Sequence, residues 1–208
     1  PLHWTGIDQN WNYQCAECHS TNLRKNFDAR SGTFKTTWTE LNVACEACHG
    51  PGSNHVAWAR KEADGQRVDS GTKGLVVALH DRRGVTWTIG ADTGNAQRTP
   101  PGRPAREVEM CGRCHARRGQ FSDDYVHGRP LGDTRRVALL EDRLYHPDGQ
   151  IRDEVYEYGS FLQSRMYAAG VSCSNCHDAH SGRIEGALDV RRVTIEPFDL
   201  AQPVKYDV

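Results

Sequence analysis

All eight cysteines of the 208-residue chain occur in pairs, and a histidine follows each pair at once. The four Cys-Xaa-Xaa-Cys-His motifs comprise Cys15, Cys18 and His19; Cys45, Cys48 and His49; Cys111, Cys114 and His115; and Cys173, Cys176 and His177. A zinc site, a redox dithiol or a disulfide framework can use a Cys-Xaa-Xaa-Cys pair, but none requires histidine at the next position. Cys-Xaa-Xaa-Cys-His is the attachment motif of c-type haem. The sequence therefore predicts four covalent haem c groups with iron.

The spacing within each motif suits this attachment chemistry. Cysteines at positions i and i+3 lie on one face of a helical turn, so both sulfurs can form thioethers with the two vinyl groups of one porphyrin. The next residue places an imidazole under the iron, so the motif histidines are the expected proximal ligands. Covalent haem attachment takes place outside the cytoplasm. We therefore expect a periplasmic or extracellular protein whose signal peptide was removed on export.

Six other histidines could fill the distal position of the four irons: His3, His55, His80, His127, His146 and His180. His180 lies three residues after His177, on the same helical face, so it should reach the haem of another motif. His55 is separated from His49 by Gly50-Pro51-Gly52, which breaks the helix and directs the histidine away.

Three histidines, His3, His127 and His146, compete for the two remaining distal positions. His80 is expected at a hairpin tip on the surface. The methionines Met110 and Met166 are interpreted as packing residues, since one abuts a motif cysteine and the other lies on an apolar helical stripe. The haems are therefore expected to be mostly bis-histidine and low in reduction potential.

The composition is lean in apolar side chains, with 37% hydrophobic residues, 25% charged residues and a mean hydropathy of -0.71. Four porphyrins would supply the missing apolar mass. The net charge of -1 gives no reason to expect a nucleic-acid partner, and no apolar run approaches the roughly 18 residues of a membrane span. Four Arg-Arg doublets belong either to a solvated surface or to the haem propionates.

The expected fold is mainly α with much irregular loop and a small β-hairpin, in a multihaem cytochrome c architecture whose haems form the core. Helices are predicted over 104–119, over 53–65 and, as the longest, over 153–169. Strands 75–79 and 85–89 should pair around a turn at 80–84, within an insertion at about 74–90. The predicted domains are a tetrahaem domain, 1–182, and an extended arm, 183–208, which wraps its own domain or adds a strand to a neighbouring molecule.

Two segments, Cys45 to His55 and Cys173 to Gly182, resemble a broad multihaem cytochrome family that includes the tetrahaem carrier accepting electrons from hydroxylamine oxidoreductase. The stretch 1–182 is similar to the haem-binding core of bacterial multihaem proteins that continue into tetratricopeptide repeats. This resemblance implies that His55 and His180 are distal ligands of neighbouring haems. The further haem motifs and helical repeats of the long relatives are missing from this sequence.

A short tetrahaem chain with a histidine near its N-terminus and an extended tail is also similar to the subunits of extracellular cytochrome filaments. In those filaments a histidine of one subunit completes a haem of the next, and we hypothesise this role for His3. The resulting prediction is an electron carrier, not an enzyme. Its expected partners are redox proteins or extracellular acceptors and, in a filament, further copies of the chain. We expect neither a nucleic-acid partner nor a membrane-spanning segment.

The alternative function is a haem enzyme that reduces or oxidises a small nitrogen or sulfur oxyanion at one open iron. The tetrahaem relative leaves one haem without a distal protein ligand, which keeps this alternative open. Against it, the sequence lacks the Cys-Xaa-Xaa-Cys-Lys variant that marks the catalytic haem of pentahaem nitrite reductases. The sequence also has enough histidines to fill the distal position of every iron.

Overall fold

The computed structural model describes residues 10–66, 70–138 and 140–184. The chain divides into two compact units, 1–172 and 173–208, so the second unit is described from 173 to 184. The first three motifs belong to the first unit and the fourth motif to the second. The domain boundary at 182/183 stays a prediction, and most of the predicted arm lies outside the described residues.

Short helices are distributed along the described chain. The α-helices are α1 (Cys15–Cys18), α2 (Cys45–His49), α3 (Ser53–Ala63), α4 (Arg106–His115), α5 (Tyr156–Gln163) and α6 (Arg165–Ala168). Two 3-10 helices span Leu131–Asp133 and Cys173–Asn175. None of the helices within the described ranges is long and apolar enough to cross a membrane.

The strands form five two-stranded antiparallel sheets among the described residues. The pairs are β1 (Ser20–Thr21) with β4 (Glu40–Leu41), β2 (Phe27–Asp28) with β3 (Thr33–Phe34), β5 (Thr86–Ile89) with β6 (Ala96–Thr99), β7 (Arg118–Gln120) with β8 (Arg135–Val137), and β9 (His177–Asp178) with β10 (Arg183–Ile184). The described structure is therefore a mixture of small helices and sheets, and the mainly α class with one hairpin was wrong in this respect.

Two of the predicted helices are confirmed with small changes at their ends. Helix α3 begins at Ser53, but Gly52 occupies the N-cap position and no side chain caps the helix. Helix α4 begins two residues after Pro104 and ends at His115, before the predicted end at 119. The chain turns extended at Ala116 and enters β7, which explains the earlier end.

The predicted long helix over 153–169 is wrong, because the chain breaks at Ser164 into α5 and α6. Ser164 has extended backbone angles, φ -73° and ψ 151°, and its hydroxyl accepts a hydrogen bond from the Tyr167 amide at 3.1 Å. Serine favours such a capping position because its oxygen satisfies an otherwise unpaired amide. The longest helix of the described residues is α3.

The predicted hairpin has the right second strand but the wrong partner. Strand β5 pairs with β6, with Trp87 opposite Arg98, and 75–79 is not a strand. The backbone of Val77 is instead bonded to His49, since its amide donates to the His49 carbonyl at 3.1 Å. The residues of β6 do not alternate in hydrophobicity, so the pattern could not show this strand.

The hydrophobic core of the first unit is small and centres on α4. Its buried hydrophobic residues are Ala16, Val77, Ala78, Val108, Met110, Ala116, Leu131, Tyr145, Val155 and Tyr158. The carboxylate of Glu109 joins three elements, because it accepts from the Leu131 amide at 2.6 Å and from the Tyr158 hydroxyl at 3.1 Å. These bonds fix α4, and therefore the third motif, against α5 and the 3-10 helix.

Candidate haem-binding site

Each motif places its two cysteines within one helical turn. The first and second motifs form α1 and α2, and the third ends α4, so the cysteines at i and i+3 share a helical face. The fourth motif begins on a 3-10 helix and its histidine opens β9. All eight cysteines lie in the described ranges and none forms a disulfide. The donor set therefore fits covalent attachment of haem through paired thioethers.

The first and third motifs contact each other through Cys18 and Cys114. The Cys18 sulfur lies 3.8 Å from the Cys114 carbonyl oxygen. The hydrogen bond with the Cys114 side chain and the neighbouring Arg118 guanidinium lower the pKa of the Cys18 thiol to about 6, whereas the same contact and burial raise the pKa of Cys114. These two attachment points are therefore immediate neighbours, although 96 positions separate them.

The second and third motifs are joined by Arg113. This residue lies between the two cysteines of the third motif, and its guanidinium donates to the backbone carbonyl of Ala47, which lies between the two cysteines of the second motif. The Cys-Xaa-Xaa-Cys-His pattern assigns no role to these inner positions. In the folded chain they join the motif helices to one another.

A buried charge cluster lies where the three motifs meet. We call Glu17, Arg113, Arg118, Arg135 and Tyr125 the arginine cluster. Glu17 accepts from Arg135 Nε at 2.7 Å and lies 3.2 Å from Arg118 Nη2. The side chains of Glu17, Arg118 and Arg135 are 10%, 7% and 3% exposed. Arg113 and Arg135 both lie over the Tyr125 ring, at 4.2 and 5.2 Å from its centroid.

The arginine cluster has more positive than negative charge. Burial, followed by the repulsion of Arg135, lowers the pKa of Arg113, and burial raises the pKa of Tyr125. Within the described chain, the Nε atoms of Arg113 and Arg118 are buried without a hydrogen-bond partner. Buried charged donors of this kind favour a carboxylate ligand, and each haem carries two propionates. The doublets Arg117-Arg118 and Arg135-Arg136 were the only sequence signal for this cluster.

A cavity of about 670 Å³ opens beside Cys18. Its lining includes Tyr13, Arg117, Arg118, Arg136, Arg143 and Tyr156. Aromatic rings can pack on a porphyrin face, and guanidinium groups can pair with propionates or with another anion. The residues present therefore fit a haem attached at the first motif.

Two histidines donate their Nδ1–H to a backbone carbonyl, as metal-binding histidines commonly do. His49 Nδ1 donates to the Val77 carbonyl at 2.8 Å, and His55 Nδ1 donates to the Lys73 carbonyl at 2.7 Å. This bond assigns the proton to Nδ1 and makes Nε2 the basic nitrogen. His55 also stacks on Trp58 at 5.6 Å between ring centroids, which fixes its orientation.

His127 lies against the second motif. Its ring packs next to Gly50, where an added Cβ would be 3.2 Å from it, and its side chain is hydrogen-bonded to the Glu46 backbone. Its Nε2 is buried without a partner among the described residues. Burial and the Arg113 charge lower the pKa of His127, which favours the neutral imidazole that binds iron.

His80 is not the surface residue that the sequence indicated. It is only partly exposed, and its Nε2 is buried without a hydrogen-bond partner in the described part of the chain. The expected hairpin tip does not form because 75–79 is bonded to the second motif. His80 is therefore a histidine that sequence reasoning missed.

The remaining candidate histidines lie in more open positions. His146 is exposed in a turn closed by the Gly149 amide. In the second unit, the side chain of His180 is 86% exposed and its Nδ1 lies 3.8 Å from Asp178 Oδ1. His3 lies outside the described residues.

The two methionines differ from each other in burial. Met110 is buried, as the packing interpretation requires, and its sulfur lies 3.9 Å from Arg113 Nη1. Met166 is 55% exposed, so its assignment to a packed stripe was wrong. The break at Ser164 explains this difference, because the long stripe depended on an unbroken helix.

One family model supports the haem assignment over part of the chain. The family model described as cytochrome c554 and c-prime matches residues 4–50, a segment that contains the first two motifs. A solved structure, the crystal structure of outer cell wall cytochrome OcwA, matches with 21% identity and a TM-score of 0.44, over 82% of this chain and 34% of that one. The chain thus spans about a third of that structure's length. No curated protein matches the chain.

The attachment motifs and the family match over residues 4–50 support covalent binding of haem c by this chain. A c-type cytochrome transfers electrons through its haem iron, and this role is taken up below as a proposal.

Proposed function

We propose that the chain transfers electrons through four closely packed, covalently attached and mostly bis-histidine haems. The observation that carries this proposal is the meeting of three motif helices in the first unit, through Cys18 with Cys114 and through Arg113 with Ala47. Contacts between attachment points bring the attached groups together, and short separations are what electron hopping requires. The fourth haem, at Cys173 and Cys176, is proposed from its motif alone.

The proposed proximal ligands are His19, His49, His115 and His177. For the distal positions we propose His55, His127 and His180, with His3 and His146 as further candidates. The bond from His55 to the Lys73 carbonyl and the buried Nε2 of His127 support two of these assignments. His180 is proposed from the family resemblance alone, because His177 opens β9 and the two histidines do not share a helix.

The haem supplies a one-electron change at iron when it is bound. The chain holds each group through two thioethers, and the carbonyl of Val77 fixes the orientation of the His49 imidazole. The arginine cluster provides buried positive charge beside the first three motifs, where it can neutralise propionates. The aromatic residues Tyr13 and Tyr156 line the cavity beside Cys18, where their rings can pack on a porphyrin.

The second candidate function is a haem enzyme acting on a nitrogen or sulfur oxyanion. The observation that favours it is the cavity beside Cys18, whose four arginines outnumber its two carboxylates, Glu141 and Asp142, and would attract a small anion as well as a propionate. Only an iron without a distal histidine would allow it. The supply of histidines favours the carrier.

Haem analysis and spectroscopy of the purified holoprotein test both candidates. We expect four haems per chain by pyridine haemochrome assay and mass spectrometry, with a purely low-spin ferric spectrum. Fewer haems would contradict the proposed count. A high-spin ferric signal, or binding of nitric oxide or cyanide without ligand replacement, would favour the enzyme.

We further propose an extracytoplasmic location, because covalent haem attachment takes place there. Redox proteins or extracellular acceptors would be the partners. Assembly into filaments, with His3 donated to a haem of the next subunit, stays a prediction. Ultrafiltration and electron microscopy of native material test it, and a preparation containing only monomers would contradict it.

A further inference from the structure

We propose that His80 is an axial ligand of a haem iron. This inference rests on the proposed tetrahaem function, and it fills the distal position for which His3 and His146 were the candidates. It also means that ligands for all four irons lie within one chain: His55, His80, His127 and His180. The assignment therefore competes with the donation of His3 to a haem of the next subunit.

The burial of the His80 imidazole nitrogen supports this assignment. Of the described histidines, His80 and His127 have a buried Nε2 atom without a hydrogen-bond partner. Leaving a buried polar atom unpaired is energetically unfavourable, so such atoms usually have a bonding partner. A neutral imidazole nitrogen is a strong ligand for haem iron. His127, already proposed as a ligand, shares this feature with His80.

Hydrogen bonds at both ends hold the segment 77–81 in a fixed position. At its start, Val77 exchanges two bonds with His49, the proximal histidine of the second motif. At its end, the Asp81 carboxylate accepts from the Glu107 amide in the first turn of α4 at 3.0 Å. Arg98 donates to the Asp81 carbonyl at 3.2 Å. The chain thus holds His80 between the second motif and the helix that carries the third, as a preorganised ligand requires.

The competing histidine, His146, lacks both features. It is exposed, and the turn around it bonds only to nearby backbone, from His146 to Gln150 and from Gly149 to His146. Nothing described around it connects it to a motif. Its imidazole can be solvated by water at no cost, so no ligand is required.

The test compares His80→Ala with His146→Ala and His3→Ala in the fully matured holoprotein. We expect His80→Ala to convert one haem of four from low-spin to high-spin, seen by electron paramagnetic resonance. The reduced variant should bind carbon monoxide at that haem, and added imidazole should restore the low-spin spectrum. The other two variants should keep the spectrum of the unmodified protein. Low-spin haems throughout His80→Ala, or conversion in either other variant instead, would overturn the inference.

A second variant covers the case in which His80→Ala does not mature. His80→Met retains a possible ligand, and methionine ligation raises the potential of a haem. We expect one of the four redox steps to shift to higher potential in His80→Met, and unchanged potentials would overturn the inference. The haem count of the unmodified protein is measured separately, so a failure of the tetrahaem proposal is distinguishable from a failure of the His80 assignment.

Discussion

Glu17 shows how a single residue inside an attachment motif can serve the whole unit. Its carboxylate lies between two guanidinium groups from β7 and β8, and the pair with Arg135 spans 118 positions of sequence. Motif analysis could identify the cysteines and proximal histidines because their pattern is local. It could not identify the role of Glu17, since nothing near residue 17 indicates where its partners lie.

Replacing this carboxylate by an amide should destabilise the protein strongly. Glu17→Gln leaves Arg118 and Arg135 buried without their counter-charge, and breaking a buried ion pair typically costs about 3–5 kcal/mol. We expect a loss of that size in the free energy of unfolding, measured by urea titration of the holoprotein.

The matched control is Glu141→Gln. Glu141 lies 3.6 Å from Arg136 in an exposed pair, and such pairs contribute about 0–1 kcal/mol. Equal unfolding midpoints for the two variants would contradict the role given to the arginine cluster. Haem content is checked first, because Glu17 lies inside a motif.

At the scale of elements, a prediction from sequence was correct where local residues determine the structure of the segment. Helix α3 was predictable because Gly52, Ser53 and Gly65 mark its ends locally. Segment 75–79 alternates like a strand, yet its backbone is bonded to His49. The misplacement of His80 followed from that one error. Hydrogen bonds to the second motif, and not the local hydrophobic pattern, determine the structure of this segment.

The packing of α4 on α5 gives a prediction at this scale. A Cβ added at Gly112, within the third motif, would lie 2.6 Å from the Tyr158 ring and 3.1 Å from Leu131. We expect Gly112→Ala to displace α5 and lower the free energy of unfolding by about 1–3 kcal/mol, measured by thermal or urea unfolding. Gly132→Ala is the control, since nothing lies within 4 Å of the added atom.

The loop beside α3 gives a second prediction. Gly74 has φ +73°, and an added Cβ would lie 2.6 Å from the Asn54 carbonyl oxygen. Gly74→Ala should therefore push Lys73 away from His55 and change the ligand field of one low-spin haem, seen as a shifted paramagnetic resonance signal. Gly71→Ala has open space around the new methyl group and should leave the spectrum unchanged.

At the scale of the molecule, the excess positive charge of the arginine cluster should set reduction potentials. Buried cations near a redox centre favour its reduced state, by roughly 1–2 kcal/mol for unit charges about 10 Å apart at an effective dielectric constant of about 20. Arg113→Gln should therefore lower the potential of at least one haem in a spectroelectrochemical titration. Arg60→Gln, on the exposed side of α3, should not, and equal shifts in both variants would contradict this explanation.

The contact between Cys18 and Cys114 has a consequence for biosynthesis. The two cysteines are neighbours in the fold although 96 positions separate them along the chain, so Cys18 is synthesised well before Cys114. In an oxidising compartment, a chain that collapsed before maturation would bring them together as reactive thiols and could trap them as a mispaired disulfide. Attachment at the first motif before this contact forms would prevent that disulfide. We expect chains exported without the attachment machinery to accumulate a Cys18–Cys114 crosslink, detectable by peptide mapping, so haem acts here as a protecting group as well as a cofactor.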